Sequence, residues 1–194
     1  MHGPASAPSL LVHIRCPSRR APKAAGTSPL RRMKVFVSYA HDDAKPFAMV
    51  LRLMEQSVER LGGEIWTDQQ LLAGDNFDTE IKEKIAAADI AVLALSASFF
   101  LPGYIMETEV PAIKARGAAA KHFKLVPVLL NKCMWEEFSK DIGDGLHIIP
   151  LDANRRPKPL NTWSPRNHGH HAIQQEIHKT FQAQKAILSA GATP

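Results

Sequence analysis

The sequence of 194 residues predicts one α/β domain: a parallel sheet covered on both sides by helices, in three layers. Three observations predict it. Short β-rich runs alternate with stretches of helical periodicity. One of those runs, Asp89 to Leu95, is apolar beyond its first residue, the pattern of a strand buried on both faces of a parallel sheet. The spacing between runs suits right-handed βαβ crossovers rather than hairpins.

Taken in order, Lys34-Val-Phe-Val-Ser-Tyr39 is the first strand, and Ala40-His-Asp-Asp43 is a polar turn in which Asp42 or Asp43 serves as helix N-cap. Phe47, Val50, Leu51, Met54, Val58 and Leu61 then recur at helical spacing until Gly62-Gly63 ends the helix. Glu64 to Thr67 is a second short strand, residues 68–76 a loop, and Phe77 to Ala88 a helix with Ile81 and Ile85 inward. After the third strand, Asp89 to Leu95, a helical segment runs from Gly103 to about Ala119, and Lys124 to Leu130 is the fourth strand. Gly145 to Pro150 holds a short fifth, which makes a five-stranded parallel sheet. Residues 151–168, with Pro157, Pro159 and Pro165, read as an irregular surface loop. The last helix has Ile173, Ile177, Phe181 and Leu188 as its apolar stripe.

Composition narrows the function. The formal net charge is +5, yet residues 1–32 hold six basic residues and no acid, which leaves 18 basic against 19 acidic from Met33 onward. The folded part therefore lacks the basic field that nucleic-acid binding needs. The first 32 residues, rich in Pro, Ala, Ser and Gly, read as a disordered basic leader, with translation starting at Met33 as an alternative. Five prolines between Pro4 and Pro29 argue against the amphipathic helix of a transit peptide. No apolar run reaches the roughly 18–20 residues of a membrane span. Cys16 and Cys133 lie far apart without CxxC spacing, which fits a reducing, cytoplasmic setting. The folded domain is expected over residues 33–188, with a disordered tail over 189–194.

Open parallel sheets bind ligands beyond the carboxyl ends of their strands. Three segments follow those ends here: Ser38 to Asp43, Thr67 to Phe77 and Ser96 to Glu109. Several ordered motifs in and beside them resemble one family. Lys34-Val-Phe-Val-Ser-Tyr-Ala-His-Asp-Asp43 is similar to the opening strand of bacterial TIR (Toll/interleukin-1 receptor-type) domains. Ile65-Trp-Thr-Asp68 with Leu72-Ala-Gly-Asp-Asn-Phe77 resembles their second strand and BB loop, and Ile85 to Ser96 their third strand. Ser98 to Pro111 resembles the helix-C motif that carries a NAD-cleaving glutamate, and Pro150 to Trp163 the closing segment. Helix C departs from the pattern: Leu101-Pro-Gly103 stands where a serine commonly precedes the aromatic residue, and there are two acids, Glu107 and Glu109.

The resemblance implies a flavodoxin-like α/β/α TIR fold and cleavage of NAD+ at the nicotinamide–ribose bond, with NAD+ as substrate and no separate cofactor. It also implies self-association through the BB loop and helix C, a sensor or activator protein as partner, and activity that rises with assembly. Family spacing from Tyr104 and Val110-Pro111 selects Glu109 as the catalytic acid, with Glu107 as the alternative. Helix geometry agrees. At about 100° per residue, Glu109 falls beside the stripe of Met106, Val110, Ile113 and Gly117, whereas Glu107 falls well to its other side. The two carboxylates point apart and cannot act as a pair. Pro111 deprives the Glu107 carbonyl of its helical partner and is placed to start a new helix.

The candidate substrate-binding residues are Ser38, Tyr39 and Ala40 from the first segment; Trp66, Asp68, Gly74 and Phe77 from the second strand and its loop; and Ser96 and Tyr104 from the third. Tyr39, Phe77 and Tyr104 offer stacking surfaces, and Trp66 has core packing as its alternative. Asp68 can equally form the turn, and Gly74 permits the loop's bend. No GxGxxG or GxxxxGK run occurs, so NAD+ would be held unlike a dehydrogenase cofactor. His168-Gly-His-His171 lacks a carboxylate or cysteine at ligand spacing, so no metal is expected. A non-catalytic module acting through homotypic association is the alternative function. The acid in helix C separates the two readings.

Overall fold

The computed structural model describes residues 31–70, 76–137 and 146–190. Strands β1 (Lys34–Ser38), β2 (Glu64–Thr67), β3 (Ile90–Leu95) and β4 (Lys124–Leu129) form one sheet in the order β2-β1-β3-β4, parallel throughout. Helices α1 (Ala44–Arg60) and α4 (Arg166–Ala190) cover one face, and α2 (Phe77–Ala87) and α3 (Val110–Ala119) the other.

The three layers follow from strand periodicity. Val35, Val37, Ile90, Val92 and Ala94 face Phe47, Val50, Met54 and Val58 of α1 and Ile173, Ile177 and Phe181 of α4. Phe36, Ala91, Leu93 and Leu95 face Ile81 and Ile85 of α2 and Val110 and Ile113 of α3. Successive side chains go to opposite faces, so β3 needs an apolar residue at every position and is buried at all six. The apolar stripe of α3 stops at Ile113; Gly117 is exposed.

Where five strands are expected, the sheet has four among the described residues. The fifth is reduced to a single parallel bridge between Val128 and Ile149, held by Leu129 N–H to the Ile149 carbonyl (2.7 Å) and Ile149 N–H to the Pro127 carbonyl (3.0 Å). Pro150 follows at once and has no N–H with which to continue the ladder. Among the described residues, no helix is long and apolar enough to cross a membrane.

Gly62-Gly63 ends α1 as expected. Gly62 adopts φ +70°, and Gly62 N–H and Gly63 N–H bond the Glu59 and Val58 carbonyls at 2.9 Å each. Gly63 also passes close to the chain that enters β1: a Cβ there would sit 2.8 Å from the Met33 carbonyl oxygen and 2.9 Å from Val58 Cγ1. Backbone cannot yield as a side-chain tip can, so Gly63→Ala should cost about 1–3 kcal/mol in urea unfolding, with the slope unchanged. A neutral result would show that the approach is relaxed in solution.

Candidate active site

The chain passes from β1 to β2 on one side and then crosses back to β3 on the other. The loops leaving β1 and β3 therefore diverge and open a crevice above the carboxyl ends of the strands. A cleft of about 310 Å³ lies there, at the lower end of the range for ligand sites. Its walls are Val37 and Ser38 at the end of β1 with the turn to Asp42, Asp68 after β2, Phe77 at the start of α2, and Ser98, Phe99, Leu101 to Ile105 and Glu109 after β3.

Glu109 reaches this cleft because helix C is not a regular α-helix. Ile105–Glu109 form a π-helical turn, closed by Val110 N–H on the Ile105 carbonyl, and α3 begins at Val110 with Pro111 in its first turn. Pro111 has no N–H to offer, as the sequence implies, and the wider i→i+5 turn absorbs the break. Each residue of a π turn rotates by less than 100°, so regular-helix geometry gives the side of Glu109 but not its depth. Glu109 is 5% exposed, whereas Glu107 is exposed and does not line the cleft.

Ser38 Oγ donates a 2.5 Å hydrogen bond to Glu109 Oε2 across the end of β1. Burial pushes the Glu109 carboxyl up to about 7. The Ser38 hydrogen bond works against this shift, Asp68 adds to it, and His41 opposes it. The result is a carboxyl poised near neutrality at the end of a sheet.

Of the expected site residues, Ser38, Tyr39, Ala40, Asp68, Phe77, Tyr104 and Glu109 all line the cleft. The Tyr39 ring packs on Phe47 at 5.2 Å in the core. Burial and the nearby Asp68 raise its phenol. Phe77 and Tyr104 meet edge to face at 4.8 Å. The Tyr104 hydroxyl donates to Asp78 Oδ1 at 3.0 Å, and burial first, then this carboxylate, raises it well above its usual range.

Trp66 and Ser96 are not brought to the cleft, and Gly74 lies outside the described residues. Alternation along β2 turns Trp66 against Phe36, stacked at 5.5 Å with Lys84 above its ring, where it lines a separate groove. Ser96 is fully buried and its Oγ is committed twice, accepting from Phe99 N–H at 2.9 Å and donating to Asp43 Oδ2. Asp43 occupies the N-cap position of α1, but its side chain makes no capping bond and instead ties the β1 loop to the β3 loop.

One residue not named as a site candidate lines the cleft: His41, whose Nε2 lies 2.6 Å from Asp68 Oδ2 and joins the β1 and β2 loops at the cleft wall. The only advance signal for His41 was its place in the turn after β1. His168, His170 and His171 lie on the first turns of α4, and none lines the cleft.

The comparisons agree with this fold. A family model described as TIR domain matches residues 35–164. The uncharacterized protein y4lF of Sinorhizobium fredii (strain NBRC 101917 / NGR234) is 26% identical over 170 residues, covering 82% of this chain and 49% of the relative. The chain thus spans about half the length of the curated relative it matches. Among solved structures, the TIR domains of the activated Roq1 resistosome that recognizes the pathogen effector XopQ superpose with a TM-score of 0.54 at 17% identity, covering 76% of this chain and 98% of that one. The RPS4 and RRS1 TIR domain heterodimer gives 0.50 at 14% identity, covering 78% and 99%. At these identities the two structures speak to the fold alone. With a family match running from β1 through the segment that leads into α4, this chain belongs to the TIR domain family.

Proposed function

We propose that the domain cleaves NAD+ at the nicotinamide–ribose bond, with Glu109 as the catalytic carboxylate. One observation carries the reading: a buried carboxyl, held by Ser38, opens into the cleft at the strand ends. Breaking the bond builds positive charge on the ribose, as in glycoside hydrolysis, while nicotinamide leaves as a neutral ring and needs no general acid. An ionised Glu109 can accept hydrogen bonds from ribose hydroxyls and stabilise the growing cation, which counts for more in a water-poor cleft. Phe77 and Tyr104 supply an aromatic wall for the departing ring. The test is nicotinamide release from NAD+ by concentrated protein, followed by chromatography. No release would favour the alternative, a non-catalytic TIR interaction module.

Assembly belongs to the same reading. Phe77 is 44% exposed and Leu101 61% exposed at the rim of the cleft, apolar surface that suits a second copy. The two solved neighbours are themselves a resistosome's TIR domains and a heterodimer. NAD+ turnover per molecule is expected to rise with protein concentration, measured by initial rates over serial dilution. A constant specific rate would contradict this.

A further inference from the structure

The charges around the cleft are one-sided. Asp42, Asp68 and Glu109 line it, and among the described residues no lysine or arginine does. Among those described lining residues His41 is the side chain able to carry positive charge, and it is engaged with Asp68 at 2.6 Å. Phosphate binding ordinarily uses Arg or Lys forks, or the N-terminus of a helix reached through a glycine-rich loop. Among the described residues the cleft has no such fork, and although Phe77 opens α2 at its wall, no glycine-rich sequence leads into that helix. It does have what a cation asks for: acidic side chains, a buried carboxyl and the aromatic residues Phe77 and Tyr104 in its wall.

Resting on the NAD+-cleaving reading above, we propose that the cleft of a single copy recognises the N-ribosylpyridinium cation rather than the dinucleotide, and therefore also hydrolyses nicotinamide riboside, a substrate without phosphate. The volume of about 310 Å³ agrees with a ligand at the small end of the usual range. In the reaction the C1′–N1 bond breaks and its electron pair stays on the ring nitrogen, which leaves as neutral nicotinamide. Water adds its oxygen to C1′ and releases one proton, giving ribose; the positive charge of the substrate leaves as that proton. The pyrophosphate of NAD+ lies outside these walls, so dependence on assembly belongs to the dinucleotide and not to the riboside.

The test compares nicotinamide riboside with NAD+ on the full chain across a dilution series, with Glu109→Ala as control. Expected is riboside cleavage at a constant rate per molecule, abolished by Glu109→Ala, while NAD+ cleavage per molecule falls on dilution. A stock that cleaves NAD+ but not the riboside, or loses both activities in parallel on dilution, overturns this inference and leaves the NAD+ reading standing. Failure with both substrates at high concentration defeats both. A binding measurement that needs no turnover completes the test: 1-methylnicotinamide, a cation, against neutral nicotinamide, by ligand-observed NMR on dilute protein at pH 8. The cation should bind at least about tenfold more tightly, the scale of one partly screened charge contact. Equal binding, or preference for the neutral ring, overturns the recognition of charge.

Discussion

Replacing Glu109 by alanine is expected to lower NAD+ cleavage by about 10²–10³-fold or more, the scale of removing one preorganised electrostatic contact to a transition state. Glu107→Ala should stay within about twofold, because that side chain is exposed and off the cleft. Equal losses in both variants, or full activity in Glu109→Ala, would remove Glu109 from the reaction. The pH profile is a second readout. Only the ionised carboxylate stabilises a cation, and burial holds the free carboxyl at about 7. kcat/KM should therefore rise about tenfold per pH unit below 7 and flatten above it, since it reports the free protein. Bound pyridinium favours the ionised form, so the limb in kcat should fall at lower pH. A flat kcat/KM between pH 5.5 and 8 would exclude an ionisation of Glu109 near neutrality as a requirement for activity.

The same carboxyl should make the folded domain less stable as pH rises. Its ordinary value is 4.5, and in the folded state it lies at about 7. Below 4.5 both states hold the proton and nothing is lost. Between 4.5 and 7 the unfolded chain ionises first, so stability falls with pH, and above 7 the full penalty is present. A gap of that size corresponds to about 3 kcal/mol. Glu109→Gln keeps an oxygen to accept the Ser38 hydroxyl but has no charge to bury, so it should gain up to about 3 kcal/mol at pH 8 and nothing at pH 4. Denaturant unfolding at the two pH values measures it. A gain that does not change with pH would point to packing rather than ionisation. Read with the activity, the outcome would be a variant that is more stable and inactive, the trade expected where a site holds a group away from its preferred state.

How far the site could be read in advance depended on whether backbone pattern or side-chain company decided each residue. Ser38, Tyr39, Ala40, Asp68, Phe77, Tyr104 and Glu109 reach the cleft because topology delivers the residues at and after the ends of parallel strands to one edge of the sheet. Trp66 stays off the cleft because its register opposite Phe36 sets it two positions short of Ser38 on the same face, where it stacks on Phe36 in the core-packing role that was its alternative. Ser96 and Asp43 sit in the right segments but are used up on each other, and the sequence does not record such a partnership across 53 positions.

What the sequence determined by itself was the layering, the strand order of events along the chain, and the three loops from which a site could be built. Those follow from local periodicities of two and 3.6 residues and from glycine stops, which are properties of short windows. Tertiary structure alone decided that the fifth strand would be one bridge, that helix C would open with a π turn, and that Ser38 would meet Glu109 across 71 positions. The physical reason is the same in each case. A hydrogen-bond partner brought in from a distant part of the chain, or denied by a proline, sets the burial and ionisation of a side chain, and neither is written in its neighbours.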